Sequence, residues 1–502
     1  MAKTIAVKKP ARAPVTQRTK VLFVTSEMHP WIKTGGLADV AAGLPAALKA
    51  LGHDVRVLLP AYGDILAQDH AFRAVPGFRA PEPEEVSLIT PAKSDGGPKV
   101  WLLKAPGFSD RRGNPYHDGG GNDWPDNASR FNTLAKIAAD IAGNRAGLKW
   151  QPDVIHCNDW QTGLTPVWMF LRRINVPVVF TIHNLHYRGL FPRSCLETLH
   201  LPSWLDHADA LEFYGNISFI KGGLVFADLL NTVSPTYAAE IQSPEMGHGL
   251  DGLLAHRSND LSGILNGIDH DLWNPQQDPL LTTTYDVDHL EGKAIAKTDL
   301  QREVGLEPRT DIPLVGLIAR LVPQKGIDIL IEALPGIMDF PAQMVVLGSG
   351  EAHMEWLLNE AAQRYPGRLA VRVGFDEGLA HRIEAGTDMF LMPSRFEPCG
   401  LNQLYSLRYG TLPIVHRCGG LADSVINTNP TTLESGHATG FVFDEPSPGA
   451  LYHAVERAVG LYRQPEIWRG IVRNAMQQDF GWSRSAQEYV AYYRRAADKL
   501  RQ

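Results

Sequence analysis

The stretch that decides the fold begins with the apolar run VLFVT at residues 21–25 and continues through Gly35-Gly36 into a helical pattern at residues 37–50. A short run of β-branched and aromatic residues is typical of a buried strand. A glycine pair before an apolar-periodic segment indicates a tight turn into a helix. The sequence therefore predicts a strand, a loop and a helix at the start of the folded chain.

The same alternation continues along the chain in two series. Further β-type runs occur at residues 55–59, 100–103, 154–156, 178–183 and 229–233, and then at residues 314–319, 344–347, 369–373, 389–392 and 412–415. Strands that alternate with helices predict α/β folding around parallel sheets covered on both faces.

A connecting segment separates the two series. Residues 266–281 carry Asn-Gly, Asn-Pro and Asp-Pro pairs without clear periodicity, which is typical of a connection between domains. We therefore predict an N-terminal domain at 20–265 and a C-terminal domain at 266–475. A C-terminal helix at 476–502 is expected to pack back on the first domain.

Composition excludes several classes of protein. The 502 residues exceed a single small module at roughly 150 residues per domain. Apolar residues make up 44% and charged residues 21%, which is typical of a globular protein. With 48 basic and 55 acidic side chains the net charge is −7, so nucleic acid is not an expected partner.

The sequence also predicts a protein that is neither inserted into a membrane nor exported. No apolar run reaches the roughly 18 residues needed to cross a bilayer, and no apolar signal core is visible near residue 1. The four cysteines have no C-x-x-C spacing, so a reducing cytoplasm is expected. Residues 1–19 are basic and proline-containing, and we interpret them as a disordered tail; a transit peptide is the alternative.

One string, GGLAD, occurs at residues 35–39 and again at 419–423, each time after a predicted strand. Glycines at such a turn let backbone N–H groups approach a phosphate, and the helix N-terminus adds partial positive charge. Two ordinary strand-to-helix turns are the alternative. Recurrence in both series favours an anion site.

Three cations stand near the ends of predicted strands. Lys33 precedes the first glycine pair, and Arg320 and Lys325 follow the run at 314–319. In an open parallel sheet the ligand crevice lies outside the carboxyl ends of the strands, so cations there face the ligand. Arg320 and Lys325 together suit a departing diphosphate, whereas a solvated surface pair is the alternative.

The segment RFEPCGL at residues 395–401 follows another apolar run and precedes a helical pattern at 402–409. Glu397 can accept hydrogen bonds from sugar hydroxyls, and the backbone N–H groups of residues 399–401 can donate others. This segment is a candidate hexose clamp. An acidic residue that stabilises a helix N-terminus is the alternative.

Polar residues also end two runs of the first series. Asp159 and His183 are expected to project over the crevice from the opposite side, with a structural histidine as the alternative. The sequence contains no H-E-x-x-H, no H-x-x-x-H and no G-x-S-x-G motif. Metal-dependent and serine hydrolysis therefore lose support.

Taken together, these motifs resemble those of bacterial glycogen synthases and plant starch synthases. The resemblance rests on KTGGL at 33–37, His183-Asn184, NGID at 266–269, Arg320 with Lys325, EPCGL at 397–401 and GGL at 419–421. It extends from about residue 20 over nearly the whole chain.

The resemblance implies two Rossmann-like domains facing each other across a deep cleft, the GT-B architecture. It also implies a metal-independent retaining transfer of glucose from ADP-glucose to the non-reducing 4-hydroxyl of an α-1,4-glucan such as glycogen, with no cofactor. Retention without an obvious carboxylate pair favours a same-face route over double displacement.

The resemblance also assigns roles to individual residues. It places Arg320 and Lys325 on the diphosphate, Glu397 with Cys399, Gly400 and Leu401 on the glucose, and His183 and Asp159 beside the reacting carbon. Donor contacts are expected from Lys33, Gly35, Gly36, Asn266, Gly419 and Gly420, and acceptor contacts from Tyr116, His117 and Asp126 within the loop at 111–130.

Three positions depart from patterns seen among related transferases. Tyr405 stands where many retaining transferases carry a second Glu, Asn158 where some members have His, and Cys418 where some have Thr. A nucleotide-sugar epimerase of the same architecture, a glucan phosphorylase and a non-catalytic glucan-binding protein remain as alternatives. The choice between ADP-glucose and UDP-glucose depends on pocket shape and stays open at this point.

Overall fold

The computed structural model describes residues 18–81, 85–93 and 96–501. The predicted disordered tail at 1–19 lies, except for its last two residues, outside the described residues. Within the described residues, no helix is long and apolar enough to cross a bilayer.

The first domain contains twelve strands and eight helices within the described residues. In chain order they are β1 (Lys20–Val24), α1 (Gly36–Ala50), β2 (Asp54–Pro60), α2 (Gly63–Leu66), β3 (Phe72–Ala74), β4 (Ser87–Pro91), β5 (Lys99–Lys104), α3 (Asn127–Ala142), β6 (Val154–Asn158), α4 (Leu164–Leu171), β7 (Val178–Ile182), β8 (Leu190–Pro192), α5 (Cys195–Thr198), β9 (Glu212–Phe213), β10 (Asn216–Ser218), α6 (Phe219–Phe226), β11 (Leu229–Thr232), α7 (Pro235–Glu240), α8 (Asp251–His256) and β12 (Leu261–Gly263).

The rest of the chain repeats the alternation. Its elements are α9 (Glu291–Val304), β13 (Leu314–Ile318), α10 (Ile327–Asp339), β14 (Gln343–Gly348), α11 (Ala352–Arg364), β15 (Leu369–Val373), α12 (Glu377–Gly386), β16 (Met389–Met392), α13 (Asn402–Tyr409), β17 (Leu412–His416), α14 (Gly419–Ser424), α15 (Pro430–Glu434), β18 (Phe441–Phe443), α16 (Pro448–Tyr462), α17 (Pro465–Met476) and α18 (Trp482–Lys499).

Both large sheets are doubly wound. The second has the order β15-β14-β13-β16-β17-β18 with every neighbour parallel, so its strands run 3-2-1-4-5-6 in order of appearance. The first has the order β12-β11-β7-β6-β1-β2-β5-β4-β3, and only β4 runs against the other strands, so its pairings with β5 and β3 are antiparallel. In such sheets the ligand crevice opens where the strand order reverses. The reversals lie between β1 and β6 and between β13 and β16.

Burial explains why these runs form central strands. Four of the five residues of β1 are fully buried, and all residues of β6, β7 and β16 are buried. Strands covered on both faces are apolar throughout rather than alternating.

Two chain segments cross between the domains side by side. The N–H of Ile268 donates to the carbonyl of Phe480 at 2.8 Å, and Ile268 pairs with Gly481 in a parallel bridge. Immediately after this bridge, Trp482 begins α18 and packs in the core of the first domain against α1. Gly43 of α1 provides the space for its indole, because a Cβ built there would lie 1.9 Å from the indole nitrogen.

Candidate active site

Four of the predicted site residues, Asp159, Arg320, Lys325 and Glu397, follow strands beside the two points of reversal, and loops of the two sheets meet. Ser234 Oγ of the first domain donates to the carbonyl of Pro398 in the second at 2.6 Å. The N–H of Gly419 donates to Glu240 Oε1 at 2.9 Å. The loops that carry the predicted donor residues are therefore in contact across the domain boundary.

Lys325 and Glu397 form an ion pair. Lys325 Nζ lies 2.5 Å from Glu397 Oε2, and Ser394 Oγ donates to the same oxygen at 3.0 Å. Lys325 sits in the loop after β13 and Glu397 in the loop after β16, so adjacent strands bring them together. The residue predicted to bind phosphate and the residue predicted to bind the sugar are therefore in direct contact.

Arg320 reaches across the boundary between the domains. Its Nη1 donates to the hydroxyl of Tyr187 at 3.1 Å, and its Nη2 to Gln324 Oε1 at 3.3 Å. Both partners are neutral, so the guanidinium keeps its charge available to an anion.

Lys33 and the first glycine string form an open loop. Lys33 Nζ pairs with Asp39 Oδ1 at 2.8 Å. A Cβ built on Gly35 meets nothing within 4 Å, and one built on Gly36 would lie 3.5 Å from the Leu401 side chain of the second domain. The space at Gly35 is open for a ligand to approach the backbone.

The second glycine string has a different environment. A Cβ on Gly419 would lie 1.9 Å from the carbonyl oxygen of Glu397, and one on Gly420 would lie 2.1 Å from that of Cys399. The N–H of Gly420 donates to the carbonyls of Glu397 and Pro398. This string therefore packs directly against the hexose-clamp segment, and its phosphate contacts stay a prediction.

Asn266 and Cys399 are neighbours within the clamp. Burial raises the pKa of the Cys399 thiol to about 12, although hydrogen bonds with Asn266 oppose the shift. Oδ1 of Asn266 is buried without a hydrogen-bond partner among the residues that the structure describes. A buried acceptor without a partner is costly, and a donor hydroxyl of a ligand would satisfy it.

Asp159 occupies a strained position at the end of β6. Its φ is +56°, a conformation that a residue with a Cβ rarely adopts. Oδ1 accepts from the N–H of His183 at 2.7 Å, and burial raises the pKa of the carboxyl to about 7. Such strain is maintained by the surrounding structure, and the carboxyl accepts the backbone N–H groups at the start of the loop after β7.

His183 is held neutral. Burial lowers its pKa to about 3, and its Nε2 lies 2.9 Å from Asn158 Oδ1. The amide nitrogen of Asn158 donates to the carbonyl of Val24 at 2.9 Å, so the oxygen faces the ring and Nε2 carries the proton. Asn158 therefore fixes the tautomer of His183.

The acceptor-side loop is rigidly tied to α3. Asp126 accepts two hydrogen bonds from Arg111, at 2.8 and 2.9 Å, and Asn127 Nδ2 donates to the carbonyl of Tyr116 at 2.8 Å. His117 pairs with Asp123 in an antiparallel bridge. Asp126 is thus engaged within the loop, and the rings of Tyr116 and Trp160 lie 6.3 Å apart.

Tyr405 is fixed by stacking. Its ring lies 3.8 Å from that of Trp273 at an angle of 10°, and His381 stacks on the other face of Trp273 at 3.7 Å. Burial raises the pKa of Tyr405 well above its usual value. A rigid, neutral phenol thus stands where many related transferases carry a carboxylate.

Two residues at the site were missed by the sequence analysis. Glu27 follows β1 and is 3% exposed, yet its carboxylate contacts both the Lys33 loop and Tyr116. Phe375 follows the edge strand β15 and is 80% exposed at the carboxyl edge of the second sheet. An acidic or aromatic residue just beyond a buried strand was the available signal for both.

Two doubly wound domains that meet at their carboxyl edges, with a lysine–glutamate pair and an arginine at the junction, define the GT-B class of glycosyltransferases. Comparison with known proteins agrees. Residues 20–256 match the family "Starch synthase catalytic domain", and residues 301–473 match "Glycosyl transferases group 1".

Relatives with known names cover nearly the whole chain. Glycogen synthase 1 of Methylococcus capsulatus is 52% identical, over 95% of this chain and 96% of that protein. Glycogen synthase of Cellvibrio japonicus is also 52% identical, over 94% of this chain and 98% of that protein. The chain belongs to the family of bacterial glycogen synthases and plant starch synthases.

Solved structures support the same assignment. The catalytic domain of starch synthase IV from Arabidopsis thaliana, bound to ADP and acarbose, is 32% identical with a TM-score of 0.87, covering 96% of this chain and 100% of that one. Sucrose-phosphate synthase from Thermosynechococcus elongatus, 19% identical with a TM-score of 0.58 over 95% and 99% of the two chains, shares the fold. The predicted fold class is confirmed.

Proposed function

We propose that this protein is a glycogen synthase that transfers glucose from ADP-glucose to the non-reducing 4-hydroxyl of an α-1,4-glucan, with retention and release of ADP. The observation that carries the proposal is the contact of Lys325 with Glu397, because it joins a cation for the diphosphate to a carboxylate for the sugar. The family membership and the ADP bound to the related starch synthase IV support the donor class.

The residues of the second domain hold the donor. Arg320 and Lys325 bind the diphosphate oxygens and stabilise the charge that develops as ADP departs. Glu397 accepts hydrogen bonds from glucose hydroxyls once Lys325 turns toward the phosphates. Lys33 and the open backbone at Gly35 approach the nucleotide from the first domain.

The first domain prepares the reacting face. The carboxylate of Asp159 stabilises positive charge at the anomeric carbon, and neutral His183 can accept a hydrogen bond from the acceptor sugar through Nδ1. The bond from the anomeric carbon to the leaving phosphate oxygen breaks, and a bond to the acceptor oxygen forms on the same face. The acceptor proton passes to the departing phosphate oxygen, so charge and atoms balance.

No metal or organic cofactor is needed in this proposal. Lys33, Arg320 and Lys325 supply three positive charges to the two phosphates. Groups of three or more His, Cys, Asp or Glu side chains arranged to hold a metal are not found in the described part of the chain.

We place the protein in the cytoplasm, because its four cysteines are free thiols and three of them are buried.

The test is incubation of the purified protein with labelled ADP-glucose or UDP-glucose, with and without glycogen, followed by measurement of label in precipitable glucan. Glycogen-dependent incorporation that α-amylase releases supports the proposal and shows the donor. Glu397→Gln, which alters the clamp, serves as the control with reduced activity.

Other outcomes support the alternatives. Donor consumption without glycogen would indicate an epimerase, and glycogen binding without donor consumption would indicate a glucan-binding protein. Incorporation from glucose 1-phosphate alone would indicate a phosphorylase.

A further inference from the structure

Glu27 lies where the loop after β1 enters the crevice, and it accepts four hydrogen bonds. Its Oε1 accepts from the hydroxyl of Tyr116 at 2.5 Å and from Thr34 Oγ1 at 2.6 Å. Its Oε2 accepts from the N–H of Thr34 at 2.5 Å and from that of Gly35 at 3.2 Å. One carboxylate thus holds both the loop at Thr34 and Gly35 and the loop at Tyr116, which is 89 residues from Glu27 in the chain.

The donors around Glu27 are neutral. Among the ion pairs of the described residues, none involves Glu27, and burial raises the pKa of its carboxyl despite the four hydrogen bonds. Keeping a carboxyl dry without a cation is unfavourable for stability. A group retained at such a cost is a candidate for a functional role.

The donor and acceptor roles in the hydrogen bonds between Ser26, Tyr116 and Glu27 are fixed. A phenol has one proton, and Tyr116 donates it to Glu27, so Ser26 Oγ donates to the phenol oxygen at 2.8 Å. The ring of Tyr116 is therefore oriented through Glu27. Any movement of Glu27 is transmitted to Tyr116 and to Gly35 together.

The two loops serve different substrates. Thr34 and Gly35 belong to the loop proposed to approach the nucleotide, and Tyr116 belongs to the acceptor-side loop. The charge of Glu27 also contributes to the raised pKa of Asp159, although burial is the larger cause. Glu27 therefore lies between the donor loop, the acceptor loop and the proposed reacting centre.

We propose that Glu27 is a positioning residue that couples the donor loop at Thr34-Gly35 to the acceptor ring of Tyr116, so that occupation of either substrate site favours binding at the other. The proposal rests on the proposed function. A ligand that draws the Gly35 backbone toward its phosphates changes the hydrogen bonds of Oε2, and the shared carboxylate then reorients Tyr116. Coupling of this kind is reciprocal, because both ligands bias one element.

The test uses binding at equilibrium, measured by calorimetry with ADP and with a linear maltooligosaccharide. Tyr116→Phe removes one hydrogen bond to Glu27 on the acceptor side, and Thr34→Val removes one on the donor side. We expect Tyr116→Phe to weaken the binding of ADP about threefold to tenfold. Thr34→Val should weaken the binding of the maltooligosaccharide by a similar factor, because each variant loses one hydrogen bond.

The Glu27→Gln background completes the cycle. In this background, Tyr116→Phe should no longer change the affinity for ADP, because the amide introduced by Glu27→Gln already disturbs the hydrogen bonds to Thr34 and Gly35. Glu27→Asp keeps the charge and should recover part of the coupling. If Glu27→Gln fails to fold, the reciprocal effects of the two single variants still decide the proposal.

Tyr62→Phe is the matched control. Its hydroxyl is buried nearby and donates to the carbonyl of Ser26 at 3.0 Å without a hydrogen bond to Glu27. It should alter stability but not ADP affinity.

Three results would count against the proposal. Unchanged ADP affinity in Tyr116→Phe, or an equal effect of that change in the Glu27→Gln background, overturns the coupling alone. Wild-type protein that binds neither ligand overturns the proposed function and the coupling with it.

Discussion

Lys325 Nζ and Glu397 Oε2 lie 2.5 Å apart, although 72 residues separate them in the chain. Glu397 is nearly buried, and its side chain is 8% exposed. A buried carboxylate is strongly stabilised by its cation, so each holds the other in place before substrate binds. Binding of a donor must exchange this contact for contacts with phosphate and sugar.

The pair predicts the consequence of removing either partner. Lys325→Ala should lower kcat about 100-fold to 1,000-fold, because the developing diphosphate charge loses a preorganised donor. Glu397→Gln should lower kcat and also raise the KM for ADP-glucose. Steady-state kinetics with glycogen checks both.

The control for these variants is Arg364→Ala in α11, which removes an exposed ion pair with Glu360. Such pairs contribute little, so its kinetics should match those of the wild type. Full turnover in Lys325→Ala would exclude the leaving-group role.

We expect the ionisation of Asp159 to set the acid limb of the pH profile of kcat/KM. Burial raises its pKa to about 7, so the carboxyl is protonated below that pH and charged above it. If the carboxylate stabilises positive charge at the anomeric carbon, kcat/KM rises as the pH increases through about 7. His183, with a pKa of about 3, stays neutral throughout.

The check is a profile of kcat/KM for ADP-glucose from pH 5 to 9. Asp159→Asn should lower the rate and remove the limb near pH 7. A limb that persists unchanged in Asp159→Asn would assign it to another group.

We expect a glycine-to-alanine substitution to act differently in the two GGLAD strings, on donor binding in the first and on stability in the second. Gly35→Ala should leave the free energy of unfolding within about 1 kcal/mol, because its Cβ meets no atom within 4 Å and its φ of −162° suits alanine. It should nevertheless raise the KM for ADP-glucose, because the methyl group occupies space open to the phosphates. Gly420→Ala should cost about 1–3 kcal/mol, since its Cβ meets a backbone oxygen.

Urea unfolding and donor KM, measured on both variants, separate the two effects. An unchanged donor KM in Gly35→Ala would show that no ligand approaches that backbone.

The crossover between domains predicts a stability effect at α1. Gly43→Ala should destabilise the protein by about 1–3 kcal/mol, because the added methyl overlaps the indole of Trp482. Gly460→Ala in α16 is the matched control, since its Cβ meets nothing within 4 Å. It should stabilise by about 0.4–1 kcal/mol, because alanine suits a helix better than glycine. Equal effects of the two changes, measured by thermal unfolding, would contradict the packing at Gly43.

We expect that the removal of metal ions leaves the activity unchanged. Because Lys33, Arg320 and Lys325 supply positive charge to the diphosphate, glucosyl transfer should be unchanged in excess EDTA. The same assay with added Mg²⁺ provides the comparison. A loss above tenfold that Mg²⁺ restores would contradict the proposal of metal-independent transfer.

Much of the site followed from the sequence because parallel strands end at one edge. Arg320, Glu397, Asp159 and His183 each come shortly after a buried apolar run, and the structure places all four beyond the carboxyl ends of parallel strands. The strands before Arg320, Glu397 and Asp159 lie beside a reversal of strand order, and β7, which precedes His183, is the next strand along. Local patterns suffice for this step, since a residue's distance from a strand end decides which edge it reaches.

Partners and environments did not follow from local patterns. The GGLAD strings are identical, yet Gly35 faces open space, whereas Gly419 and Gly420 pack directly against the backbone of the hexose-clamp segment. Asp126, expected on the acceptor side, is paired with Arg111, and Glu27 was not anticipated at all. Each depends on which distant loop lies against it.

The sequence by itself determined two series of strands alternating with helices around parallel sheets and the polar residues at the strand ends, because apolar runs, glycine turns and polar strand ends are local properties of the chain. Only the tertiary structure decided that Lys325 pairs with Glu397, that Asp159 is buried and that Glu27 joins the donor loop to the acceptor loop. The reason is that burial and hydrogen-bond partners arise from loops far apart in sequence, which meet only when the domains pack.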